Sequence, residues 1–398
     1  MTGSFAWFWA ALAVSLATHA YLWKRLVHDS SPGPHARRAT IVLLAVGAAA
    51  LPCGMLQLLC MRLTPRALAA PVMWLAFTWM GVALLLFAAL VVGDVARIGL
   101  RAIRFARRAP PAIDPVSRRT ALARGIGAAA AGFAAVTGGV AVRGALREFA
   151  IVRVQVLLAR MTPRATPYRI VQISDLHVGP TIGLGDVARV VAAVAGLAPD
   201  LVVITGDLVD GSVAQLGPLL RPLGSIRAPD GVFFVTGNHE YLSLAEPWVR
   251  YLPTLGIRVL RNERLSIGGE HGFDLAGVDD ESARTSGEPG HGTNVASAMR
   301  DRNPTRAVVL LAHQPKTIDS AAAHGVDLQL SGHTHGGQMW PLRWLAKLDQ
   351  PYIAGLHRHG DTWIYVSSGT GYWGPPMRLG TRAEITVVEI SGPRTSGT

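Results

Sequence analysis

Hydrophobic residues are distributed along this chain in two different ways. Up to about residue 142 they form long, nearly unbroken runs, at residues 5–23, 40–60, 68–92 and 121–142. Each has about the length that crosses a hydrocarbon core, and the first has Trp7, Trp9, Tyr21 and Trp23 near its ends, as at a membrane interface. These runs predict a module of about four transmembrane helices over residues 1–149. From about residue 150 the pattern changes to short β-rich runs alternating with amphipathic stretches. Strands are expected at 168–174, 201–205, 232–236, 258–260, 273–277, 307–312, 326–331, 363–367 and 384–390. Helices are expected at 185–197, 213–226 and 245–255. The alternation predicts a layered α/β domain over residues 150–392, with a polar surface excursion at 282–305 and a flexible tail at 393–398.

Composition agrees with a membrane protein: mean hydropathy is +0.30 and only 16% of residues are charged. Residues 1–150 carry 16 Lys+Arg and 4 Asp+Glu, and the remainder carries 22 of each, so the whole net charge of +12 lies in the first part. A neutral second part lacks the basic surface that nucleic acid requires, and no nucleic-acid partner is expected. The basic residues read as a topology signal. Lys24, Arg25, Arg37 and Arg38 follow the first run, only Arg62 and Arg66 follow the second, and seven arginines between Arg97 and Arg119 follow the third. By the positive-inside rule the first and third loops are cytoplasmic. Ser117-Arg118-Arg119-Thr120 before the fourth run resembles a twin-arginine export signal, although Ala121 stands where such a signal has a bulky apolar residue. As signal or as helix, this run leaves the rest of the chain on the outer face. The expected location is the inner membrane, multi-pass, with the second part periplasmic or extracellular.

Candidate chemistry collects where strands end. The expected strands run into Asp175-Leu176-His177, Gly206-Asp207-Leu208-Val209-Asp210, Gly237-Asn238-His239-Glu240, Ala312-His313 and Gly332-His333-Thr334-His335. Ligand sites of α/β sheets form beyond the carboxyl ends of strands. Carboxylate, imidazole and amide oxygen without thiolate suit Mn, Fe, Zn or Mg. There are more donors than one ion requires, and a bridging carboxylate would let two ions sit about 3.5–4 Å apart for phosphoester cleavage.

The ordered series Asp-x-His, Gly-Asp-x-x-Asp, Gly-Asn-His-Glu, a lone His and Gly-His-x-His resembles the calcineurin-like metallophosphoesterases, in particular a bacterial, membrane-attached branch. The resemblance covers about residues 169–390. It implies a two-sheet sandwich flanked by helices and two divalent ions, of Mn, Zn, Fe or Mg. Asp175, His177 and His335 would hold the first ion, Asn238, His313 and His333 the second, and Asp207 would bridge them. It further implies attack on phosphorus by a hydroxide bridging the ions, with His239 as the catalytic residue at the leaving oxygen. Asp210 or Glu240 would orient His239, or else serve as a turn cap or surface acid. The implied reaction is hydrolysis of a phosphodiester, pyrophosphate or phosphomonoester, with lipid-linked envelope substrates as one class. The alternative is a membrane sensor or scaffold that binds metal without turnover. His271, His291, His324, His357 and His359 match no motif and read as surface or hydrogen-bonded residues, with His357 and His359 the best placed to touch phosphate. Residues 339–345, joined by 372–376, read either as a loop packed over the site or as an apolar wall facing lipid.

Overall fold

The computed structural model describes residues 2–59, 66–107, 116–269, 272–341 and 343–393. His271 therefore lies outside the described residues, as does most of the expected tail. The chain divides into two compact units, Met1–Arg143 with Gly374–Met377, and Gly144–Trp373 with Arg378–Thr398.

The first unit is built on long helices: α1 (Thr2–Trp23), α2 (Pro34–Leu59), α3 (Arg66–Ala106) and α4 (Val116–Leu146). Among the described residues three stretches, 34–54, 67–106 and 119–146, are long and apolar enough to cross a membrane; α1, expected as a span, is outside that set. At 1.5 Å per residue the 41-residue α3 is about 60 Å long, twice a bilayer core. Arg97, Arg101 and Arg104, expected in a loop, instead continue this helix, because Ala, Arg, Ile and Leu all favour it. Asp94 of α3 accepts hydrogen bonds from Tyr21 at 2.8 Å and Arg25 at 2.5 Å, and Arg124 of α4 donates to the carbonyls of Ser30 and Ser31.

In the second unit the strands are β1 (Ala150–Leu157), β2 (Tyr168–Ile173), β3 (Leu201–Thr205), β4 (Val232–Val235), β5 (Ile257–Val259), β6 (Glu263–Ile267), β7 (Phe273–Gly277), β8 (Val308–Leu311), β9 (Leu328–Ser331), β10 (Gly355–His359), β11 (Thr362–Val366) and β12 (Glu384–Ser391). The helices are α5 (Leu184–Ala195), α6 (Val213–Leu220), α7 (Asn238–Leu242), α8 (Ala245–Tyr251), α9 (Ala283–Ser286), α10 (Val295–Ala298), α11 (Ile318–Ala323) and α12 (Arg343–Asp349). One sheet has the order β1-β12-β2-β3-β4-β5 and the other β10-β11-β9-β8-β7-β6. Strands β2 to β5 run parallel, as do β7, β8, β9 and β11. Ile170, Leu201, Val203, Phe233 and Val235 of the first sheet pack against Phe273, Leu275, Val309, Leu311, Leu328 and Leu330 of the second. The alternate residues Val171, Ile173, Val202, Ile204 and Phe234 meet Val187, Val190 and Val194 of α5, Leu216 and Leu220 of α6, and Trp248 of α8. The outer face of the second sheet packs on α10 and α11. The result is the expected helix-flanked two-sheet sandwich. The central strands are buried on both faces, which explains their continuous apolar runs.

Three strands were not expected from the pattern: β1, β6 and β10. All three are edge strands. Their sequences, AIVRVQVL, ERLSI and GLHRH, mix polar and apolar positions because one face or one edge meets water. Pairing creates them, as β1 lies along β12, more than two hundred residues away.

Phe273 is fully buried between the sheets with Tyr168 edge-on at 5.1 Å. Phe273→Ala should destabilise the second unit by about 3–5 kcal/mol, read as a lowered midpoint in denaturation of the purified full chain.

Candidate metal centre

The parallel strands of both sheets deliver their carboxyl ends to one edge of the sandwich. There β2 leads to Asp175 and His177, β3 to Asp207 and Asp210, β4 to Asn238 and His239, β8 to His313, and β9 to His333 and His335. To turn side chains inward straight after a strand, the backbone takes up left-handed conformations. Asp175, His177, Asp207, His333 and His335 have φ of 54°, 52°, 51°, 72° and 50°. Residues with a Cβ rarely adopt this region, at a cost on the order of 1 kcal/mol or more each. Five of them around one point mark a place where geometry outweighs local stability. Glycines allow the close approach. A Cβ on Gly332 would lie 1.9 Å from Ser174 Oγ and 2.1 Å from Asp175 Oδ2, and one on Gly237 would lie 2.3 Å from Asp207 Oδ1.

Two groups of donors result. Ligand atoms of Asp175, His177 and His335 lie within 4.8 Å of one another, and so do those of Asp207, His313 and His333. His177 Nε2 and His335 Nε2 face each other at 3.0 Å. Asn238 Oδ1 adds to the second group, 2.8 Å from His333 Nδ1 and 3.1 Å from His313 Nε2. Asp207 Oδ2 is 3.1 Å from His313 Nε2 and 3.8 Å from His177 Nε2, so one carboxylate oxygen stands between the groups. Bonds of ~2.1 Å place neighbouring ligand atoms ~3.0–3.4 Å apart, the spacing of the His177–His335, His313–Asn238 and His313–Asp207 pairs. The buried Asp175 Oδ2 has no hydrogen-bond partner, although Asp175 Oδ1 accepts from His333 N–H at 2.8 Å. An unpartnered buried carboxylate oxygen is unfavourable unless a cation lies beside it, and the imidazole nitrogens gathered around it would complete that cation's ligands. The donor set therefore fits divalent ions.

A surrounding shell aims these groups. His313 Nδ1 donates to Thr205 O at 2.7 Å, which leaves Nε2 toward the site. Asp210 Oδ1 accepts from His177 Nδ1 at 3.1 Å and from His239 Nδ1 at 2.6 Å. Asp210 thus orients His239, and the third grouping of His177, Asp210 and His239 is a hydrogen-bonded one. Glu240 is the turn cap. Its buried carboxylate accepts from the backbone N–H of Asp207, Leu208, Val209 and Gly237. Burial and the Asp207 charge raise Glu240 to about 8, against the pull of those donors. Burial disfavours protonated His239, but the charges of Asp207 and Asp210 and the bond to Asp210 outweigh it and raise the ring to about 9. Burial, then the charge of His313, lowers His333 to about 3. Its ring is neutral at ordinary pH, the state a ligand requires.

The unmatched histidines within the described residues stand elsewhere. His291 meets the Tyr241 hydroxyl and Glu246, His324 the Ser320 carbonyl, His357 the Ala354 carbonyl, and His359 Asp319 and Tyr352. His357 and His359 lie in the edge strand β10. One residue of the site carried no signal in the sequence. Arg378 is 2% exposed and donates to the carbonyls of His335, Ser368, Gly369 and Gly371, with Nη2 3.4 Å from His335 Nδ1. Burial lowers it to about 10, so it remains a cation, clamping the last turn behind His335. It sits in an irregular segment where no spacing points to it.

The comparisons with known proteins agree. The family model described as calcineurin-like phosphoesterase matches residues 168–337. A transmembrane protein with metallophosphoesterase domain from Danio rerio is 37% identical over 326 residues, 79% of this chain and 73% of the relative. A protein of the same description from Bos taurus is 43% identical over 248 residues, 60% of this chain and 56% of the relative. An uncharacterized metallophosphoesterase from Helicobacter pylori is 41% identical over 224 residues, 56% of this chain and 59% of the relative. The chain belongs to the calcineurin-like phosphoesterase family, and its class is that of metal-dependent phosphoric ester hydrolases. Its relatives come from animals as well as bacteria, a wider range than the bacterial branch expected.

Gly332→Ala should lose bound metal, because the added Cβ overlaps Ser174 and Asp175. Elemental analysis of the purified variant beside the wild type measures this.

Proposed function

We propose that the chain is a membrane-anchored, two-metal phosphoesterase. Asp175, His177 and His335 would hold one ion, Asn238, His313 and His333 the other, and Asp207 would bridge them. The observation that carries this reading is the position of Asp207 Oδ2 between two three-residue donor groups whose turns are held in left-handed backbone. When bound, two divalent ions would supply Lewis-acid stabilisation of the phosphoryl oxygens and a water of lowered pKa. The protein's own contribution is orientation and a proton. His239 is tied through Nδ1 to Asp210, so Nε2 is left to protonate the leaving oxygen. The Trp373 ring stands edge-on to His239 at 5.4 Å and shields that side. Its backbone is pinned by Gln338, which donates to Trp373 O at 2.8 Å and accepts from Trp373 N at 3.0 Å.

The substrates we propose are phosphodiesters, pyrophosphates or phosphomonoesters at the membrane, with cell-envelope lipids as one class. The location we propose is the inner membrane, with the catalytic unit on the outer face. Charge supports this topology. The positive-inside rule puts residues 24–38 and 93–120 on one side; the bond of Arg25 to Asp94 joins those same segments, and Arg124, four residues beyond the second, bonds to the Ser30–Ser31 carbonyls. Three spans after the first cytoplasmic segment leave the catalytic unit outside, whether or not α1 crosses.

Hydrolysis of an aryl phosphodiester by the purified chain, with Mn, Zn, Fe or Mg added singly, tests the reaction. His239→Ala should keep its metal and lose about 10²–10⁴-fold in turnover; an unchanged rate would remove His239 from the chemistry. His333→Ala and His335→Ala should each lose mainly one of the two ions by elemental analysis. Full occupancy in either variant would overturn the ligand assignment.

A further inference from the structure

The helix α12 begins six residues beyond Gly337, in the segment that leaves the metal-binding turn, and its amphipathic character is inverted. Ala346 and the buried Gln350 form its inner side, with Gln350 bonded to the Gln314 side chain and the Lys316 N–H. The apolar side points outward: Trp344 and Leu345 are 62% exposed and Leu348 is 84% exposed. Positions 344, 345 and 348 fall within about 100° of helix circumference, so they form one face. Arg343 and Lys347 lie along one side of that face and Asp349 beyond the other, and the Lys347 ammonium lies 5.1 Å from the Trp344 ring centroid. Trp340 and Trp373, each 47% exposed, and Leu242, 73% exposed, sit on the other segments that border the metal-binding turns. Most of the large exposed hydrophobic side chains of the catalytic unit therefore belong to segments around the site.

Soluble surfaces seldom expose such a set, and its composition points to one occupant. Trp beside Leu, with basic residues whose stems can extend to a charged surface, is the make-up of a helix that lies in a membrane interface. The chain brings a bilayer with it: β1 starts at Ala150, directly after α4 ends at Leu146, and α4 contains one of the three membrane-crossing stretches. We infer that the outward face of α12, Trp344, Leu345 and Leu348, docks into the interface of the bilayer that holds the chain's own helices. The metal centre would then open at the headgroup level, with Arg343 and Lys347 meeting anionic lipid. This rests on the membrane-anchored reading above and narrows its substrate class to phosphate esters of lipid headgroups.

The test uses the full chain with Cys53 and Cys60 replaced by Ser and a single new cysteine, Leu348→Cys, carrying an environment-sensitive fluorophore. Trp344→Cys serves as a second position, and Arg189→Cys on α5 as the control. Each is reconstituted into phosphatidylcholine vesicles containing phosphatidylglycerol, and co-flotation with the vesicles reports anchoring independently of hydrolysis. The expected result at positions 348 and 344 is a blue shift in emission, quenching by lipids with a nitroxide near the headgroup, and protection from aqueous iodide, with none of these at 189. Iodide access at 348 and 344 equal to that at 189 would overturn the proposal. So would a blue shift that ignores lipid nitroxides and grows with protein density, which would mean that a second copy covers the face. A chain that fails to float would overturn anchoring and this docking together, whatever its hydrolytic activity.

Discussion

The second unit depends on one constraint: donors carried by two different sheets must converge within a few ångströms. His177 and His335 bring their Nε2 atoms to 3.0 Å, and Asp207 stands between two imidazole groups. Nothing in local chain preference favours this. The left-handed turns at five of the seven proposed ligands store strain that only a rigid support can maintain. The support is the dry layer between the sheets, where Phe273, Leu275, Val203 and Phe233 fix the strand ends in position. The hydrophobic core thus sets the strain, and the strain sets the geometry of the site.

The shell around the ligands follows from the same constraint. Each strained turn leaves backbone N–H groups inside the protein, and these must find acceptors. Glu240 accepts four of them, Asp175 accepts from His333, and Asp207 Oδ1 accepts from His239 N–H at 2.8 Å. Asp175 and Asp207 therefore divide their work, one oxygen holding a turn and the other facing the site, whereas both oxygens of Glu240 hold turns. Arg378 solves the opposite problem by donating to the inward-facing carbonyls of the last turns. Asp210 couples two functions, since a single oxygen orients both His177 and His239. The two rings are therefore mechanically linked through one carboxylate oxygen.

The membrane unit and the catalytic unit use hydrophobicity for different ends. In the first, apolar side chains face outward along α2, α3 and α4, and buried charge is paired, as between Arg25 and Asp94. In the second, apolar side chains fill three internal layers and largely leave the surface, except around the metal-binding turns. That exception gives the outward face of α12 its significance, because the layers that carry the strands bury their apolar residues thoroughly.

The linear chain by itself determined the change of pattern near residue 150, the central strands and which Asp, His and Asn residues follow them. Its reasons are local: runs buried on both faces must be continuously apolar, and a metal site must draw on Asp, His and Asn placed just after them. It also carried the rule that Gly332 and Gly237 precede donors, since only glycine lets strands and carboxylates approach so closely. The tertiary structure alone decided the edge strands β1, β6 and β10, whose mixed sequences become strands only when a distant partner supplies hydrogen bonds. It alone separated the roles of Asp210 and Glu240, two acids in similar turns, because what each carboxylate reaches depends on its neighbours in space. Arg378 and the outward turn of α12 were likewise matters of folding. A lone arginine and a short Trp- and Leu-containing stretch have no meaning in sequence until packing shows which side faces the protein.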